Sequence, residues 1–156
     1  MDGKQFSRSF NNRKNLRSFS LGCCCLTLSM LSAVSNAAVV VVVNAKLAES
    51  SATVEEIANI FLGKSNKLAG GSKVVPIDQE EGEAPRDEFY SKAVKKDASQ
   101  LNAYWSRLIF TGKGQPPKKV LDDDEVLEMV GSTPDAIGYM SKDAVDETVK
   151  VILEVN

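Results

Sequence analysis

The chain has no histidine in its 156 residues, and its three cysteines, Cys23, Cys24 and Cys25, stand side by side near the N-terminus. From residue 38 onward there is neither cysteine nor histidine. That segment therefore holds no disulfide, no zinc site of Cys or His type and no His-based catalytic triad. A hydrolase built without them needs paired carboxylates or a Ser-Lys pair, and no spacing here selects such a pair over surface charge. No catalytic residue, metal ligand or cofactor is assigned, and an enzyme is not expected. Excess positive charge is also missing. Residues 38–156 keep 14 of the 19 basic and 20 of the 21 acidic residues, a net charge of about −6, whereas nucleic-acid binding rests on Lys and Arg neutralising phosphates. Nucleic acid is not an expected partner.

Residues 1–37 read differently from the rest. Lys4, Arg8, Arg13, Lys14 and Arg17 make a basic start, residues 21–34 (LGCCCLTLSMLSAV) an apolar run, and Ser35 and Ala37 bring small residues before a cleavage point after Ala37 or Ala38. This is the three-part pattern of a secretory signal peptide. The apolar run is shorter than the roughly 20 residues of a spanning helix. Gly22-Cys23 would suit a lipid anchor, but the apolar run follows the cysteines instead of preceding them. The expected organisation is a signal peptide over 1–37 and one α/β domain over 38–156, exported to the periplasm and without a stable membrane span after cleavage.

Within the domain, AVVVVVN (38–44) is a β-branched run without alternation, the pattern of a strand buried on both faces. In TVEEIANIFLGK, Thr53 and Glu56 form a capping box, Val54, Ile57, Ala58 and Phe61 share one helical face, and Gly63 ends the helix. A second strand is expected over 73–77, with Pro76 keeping its end out of a central ladder. Pro85 suits the first position of a following helix, whose inner face is Phe89, Tyr90, Ala93 and Val94. Residues 99–110 predict a helix capped by Ser99, with Leu101, Tyr104, Trp105, Leu108 and Ile109 as its apolar stripe. TGKGQPPKK (111–119) reads as a loop and lacks the spacing of a phosphate-binding loop. Asp122, Asp123 and Asp124 open a short helix; consecutive acids do not supply the alternating ligands of a calcium loop. Strands over 137–140 and 149–155 complete a layered α/β order.

In this order, VEEIANIFLGK, SKVVPIDQEEGEAPRDEFY, YWSRLIFTGKGQPP and DAIGYM resemble the short, single-lobe members of the phosphate ABC transporter substrate-binding family, over roughly residues 39–153. The resemblance implies a single periplasmic-binding-protein-like lobe: α/β, with a mostly parallel sheet and helices on both faces. It implies inorganic phosphate or another small anion as ligand, and an ABC permease as partner. Larger relatives hold ligand between two lobes that close by a hinge; the segment 38–156 leaves no room for a second lobe. An exposed apolar surface where that lobe would dock would instead mark a homodimer or an envelope protein-interaction module.

The family's anion site includes a bend written Gly-Ser-Gly-Thr that opens a helix, with an arginine shortly before it. Gly82 matches the first glycine; Glu83 stands at the serine, Ala84 at the second glycine, Pro85 at the threonine and Gln79 at the arginine. Gly82, Glu83 and Arg86 are the expected ligand-binding residues. A helix N-terminus stabilises an anion by roughly 0.3–1 kcal/mol, up to about 2 when partly buried. Two like charges about 4 Å apart repel by roughly 4 kcal/mol at an effective dielectric of about 20. Glu83 is therefore expected to cap the helix in the ligand's place; the alternative has Glu83 in solvent and Arg86 holding phosphate weakly.

Overall fold

The computed structural model describes residues 38–156, so the leader assigned to 1–37 lies outside the described residues. Five strands, β1 (Val39–Asn44), β2 (Val75–Gln79), β3 (Lys118–Val120), β4 (Ala136–Ser141) and β5 (Val149–Val155), form one sheet in the order β3-β2-β4-β1-β5. Four α-helices accompany them: α1 (Val54–Phe61), α2 (Ala84–Phe89), α3 (Ala98–Phe110) and α4 (Asp123–Ser132).

The valine run builds the centre. All six residues of β1 are buried, and successive side chains point to opposite faces. Val39, Val41 and Val43 pack with residues of α1, α2 and α3, whereas Val40 and Val42 pack with Val126 and Val130 of α4. Each fully buried valine contributes roughly 1.5–3 kcal/mol by leaving water. Helices cover both faces as expected.

The strand directions correct the expectation of a mostly parallel sheet. β2 runs parallel to β3 and β4, but β1 runs antiparallel to both β4 and β5. The sheet is mixed. An unbroken apolar run reports burial on two faces, which helices supply whichever way the neighbouring strands run. The loop expected over 111–119 from its two glycines and two prolines ends earlier, because Lys118 and Lys119 already belong to β3. That strand pairs with β2 only from Ile77 onward, past Pro76, so neither strand needs a donor at the proline.

Local signals fare better at helix starts. Thr53 and Glu56 form the reciprocal capping box, and Gly63 follows α1 at φ +67°. In α3 the capping residue is Asp97, whose side chain accepts from the Gln100 amide while Gln100 reaches back, so Ser99 lies inside the helix. Of the expected stripe, Leu101 and Trp105 are buried and Tyr104 and Leu108 half-buried, whereas Ile109, in the last turn, is exposed. After Phe89, α2 widens into a π-turn over Tyr90–Val94 that ends at Lys95 with φ 57°.

Gly138 of β4 sets the distance of α4 from the sheet. A Cβ there would lie 2.8 Å from Val126 Cγ1 and 3.2 Å from Val130 Cγ2, both stiff β-branched side chains. Gly138→Ala is therefore expected to lower stability by about 1–3 kcal/mol through overpacking, read as a lower urea midpoint at unchanged slope.

Candidate functional site

β2, β3 and β4 run in one direction, so their C-terminal ends share an edge with the starts of α2 and α4. The last two residues of β2 project to opposite faces. Asp78 enters the α1/α2 layer, where it meets Tyr139, and Gln79 reaches α4. Phe89 stacks on Tyr139 with centroids 4.1 Å apart, and Phe61 meets Phe89 edge-on at 4.7 Å. This aromatic cluster holds α1 and α2 against the middle of the sheet and closes the surroundings of Asp78 to water.

Asp78 and Arg86 are both buried, with Arg86 Nε 3.6 Å from Asp78 Oδ1. The Tyr139 hydroxyl donates to Asp78 Oδ1, as does the Gln79 amide at 3.0 Å. Burial pushes the Asp78 carboxyl above its usual range, against the Tyr139 hydrogen bond and the Arg86 charge, which pull it down. Tyr139 and Tyr90 are pushed up, first by burial and then by the Asp78 charge. The Arg86 guanidinium also lies 5.1 Å from the centre of the Tyr90 ring, within cation–π range.

The expected cap role of Glu83 is corrected. Glu83 occupies the N-cap position of α2, but its side chain makes no capping hydrogen bond. The bend precedes a six-residue α-helix with Pro85 in its second position, which removes one amide donor from an already short dipole. Gly82 is exposed at φ +100°, and a side chain there would meet none of the described residues beyond its chain neighbours within 4 Å, so its turn is left-handed and open. The three expected ligand residues share one turn, yet Arg86 points inward to Asp78 while Gly82 is exposed.

The carboxylate that takes donors at this edge is Asp123, a residue that sequence reasoning placed only on a solvated helix start. Asp123 is the first residue of α4. Its Oδ1 accepts from Gln79 Nε2 at 2.7 Å and its Oδ2 from the Ser141 amide at 3.1 Å. Asp122 caps the same helix by accepting from the Glu125 amide at 3.0 Å. Of the nearby cations, Lys119 lies 3.5 Å from Glu80 and 3.7 Å from Glu81, and Arg86 lies 4.0 Å from Glu81. The edge thus answers its own donors and cations with its own acids. Nothing in the spacing of Gln79, Asp123 and Ser141 announces this, because the sheet order alone brings them together.

No family model matches the chain, and no curated protein matches it. Solved structures do. An ABC-type phosphate transport receptor from Vibrio cholerae superposes with a TM-score of 0.58 at 18% identity, over 74% of this chain and 45% of that one. A putative phosphate ABC transporter substrate-binding protein with bound phosphate from Clostridium perfringens gives 0.60 at 21%, over 74% and 44%. PstS from Borrelia burgdorferi gives 0.55 at 16%, over 74% and 46%. The fold is that of one periplasmic-binding-protein-like lobe. The chain spans less than half the length of these neighbours.

Replacing Arg86 by methionine would leave Asp78 buried without its cation. Breaking a buried pair from one side costs about 3–5 kcal/mol. A carboxyl whose folded pKa is raised gives stability that is full below its unfolded pKa and lost as pH rises through the folded one. Removing Arg86 raises the folded value further. The loss in Arg86→Met, measured by urea unfolding against the parent, is therefore expected to be largest at neutral pH and to shrink as the medium is acidified. An equal loss at both would mean that only packing was removed.

Proposed function

We propose that the chain is an exported, non-catalytic lobe of solute-binding type, related to the phosphate-binding components of ABC transporters, with a weakened or altered anion site. The observation that carries this reading is Asp123 holding the Ser141 N–H and one N–H of the Gln79 side chain, whose other N–H goes to the Tyr139 carbonyl; those two N–H groups would otherwise be free for an oxyanion. Gln79 stands where the resembling family carries arginine. Gly82, Glu83 and Arg86 remain the proposed ligand-binding residues: Gly82 for an open backbone, Glu83 as the charge that repels phosphate, Arg86 as the neighbouring cation, already neutralised by Asp78. The ligand on this reading is inorganic phosphate or another small anion, met in the periplasm, with an ABC permease as the partner for delivery.

The alternative, an envelope interaction module or homodimer, draws on the end of α3, where Ile109 and Phe110 are 55% and 92% exposed. It draws less on the candidate edge, which presents Glu80, Glu81, Asp122 and Asp124 to solvent around an exposed Leu121. Sedimentation separates the two readings: a dimer that dissociates in Phe110→Glu favours the interaction module.

Calorimetric titration with inorganic phosphate tests the main reading. The unaltered protein is expected to bind in the millimolar range or not at all. Asp123→Ser is expected to tighten binding by about tenfold, equivalent to about 1.4 kcal/mol; Glu83→Ser is expected to gain less, because Glu83 holds no donor. Micromolar binding by the unaltered protein, or no gain in Asp123→Ser, overturns the proposal.

A further inference from the structure

At the opposite end of β2 and β3, away from Asp123, the turn after α1, the start of β2, the loop before β3 and Trp105 of α3 line an open cavity of about 440 Å³. That is within the roughly 300–1,000 Å³ of small-molecule sites. Trp105, Pro116 and Pro117 supply apolar wall, and Lys64 and Lys118 supply charge. Among the described residues no carboxylate lines the cavity, although residues 38–156 as a whole are acidic. Neither lysine makes an ion pair among the described residues. The Trp105 indole Nε1, buried with its ring, has no hydrogen-bond partner among them either. Gly63 makes the arrangement possible: a Cβ there would sit 3.1 Å from Trp105 Cη2, at a backbone φ of +67° that side chains rarely adopt.

We propose that this cavity is a second binding site, for a small organic anion with a flat apolar body, of the aromatic carboxylate class. The Trp105–Pro116–Pro117 wall removes the body from water, and Lys64 and Lys118 attract the anionic group. An apolar solute alone would make no use of the two lysines, and a bare inorganic anion would leave the wall wet. The combination selects a ligand that carries both features.

Trp105 is the one tryptophan of the chain, so its single indole N–H resonance reports on this wall. Benzoate is the probe, with acetate and benzyl alcohol as controls for the charge and the ring alone. Benzoate is expected to shift the resonance saturably, and neither control to do so. Lys64→Glu combined with Lys118→Glu, both exposed side chains, is expected to weaken benzoate by about tenfold or more at unchanged thermal midpoint. Should the double variant fail to fold, Lys64→Gln and Lys118→Gln are tested singly, each with a smaller weakening expected. Absence of a saturable shift, an equal response to benzyl alcohol, undiminished binding in the charge variants, or displacement of benzoate by inorganic phosphate at equal concentration would each overturn the proposal.

Discussion

A charge pair that water cannot reach organises the candidate end of this lobe. Arg86 and Asp78 are both almost fully buried, and ions of that kind persist only where the surroundings hold them together. Here the surroundings are the Tyr139 hydroxyl, the Gln79 amide and an aromatic stack that seals the pair from the α1 side. The pair ties the end of β2 to the first turn of α2, so the bend at Gly82–Glu83 lies between two anchored elements. The same commitment removes Arg86 from the surface. A cation held inward by its own carboxylate is a poor partner for an incoming anion.

On the other face the logic repeats with different groups. Gln79 and Ser141 are neighbours only because β2 and β4 lie side by side, and Asp123 meets both because α4 starts over that edge. Three acids at the start of α4 divide the work. Asp122 caps the helix, Asp123 bridges to the sheet, and Asp124 stays in solvent. Helix starts and strand ends that elsewhere suit an oxyanion are here occupied from within. This occupation from within is what the proposed weakening of the anion site rests on.

Much of the fold was legible from residue patterns. The valine run announced a strand buried on both faces, and Thr53 with Glu56 announced a helix start. The four motifs in order announced the lobe. What failed were statements about direction and partnership. Burial of β1 says nothing about whether β4 and β5 run with it or against it. The cap of α3 is Asp97 because Gln100 completes a reciprocal pair there, and Ile109, at the far end of that helix, has nothing packed over it. Glu83 stands at the expected anion bend without holding a donor, whereas Asp123, 40 positions later, accepts from the Gln79 side chain and the Ser141 amide.

Composition and periodicity by themselves determined that residues 38–156 form an acidic α/β domain free of cysteine and histidine, with the start of α1 and the central strand in place. Those properties are local, set by backbone preference, capping and the spacing of apolar side chains. Only the tertiary structure decided which carboxylate meets which donor, that Arg86 turns inward to Asp78, and that Lys64 and Lys118 share a cavity wall with Trp105. Such pairings join residues far apart in the chain, and their geometry comes from sheet order and helix packing, which no short stretch of sequence contains.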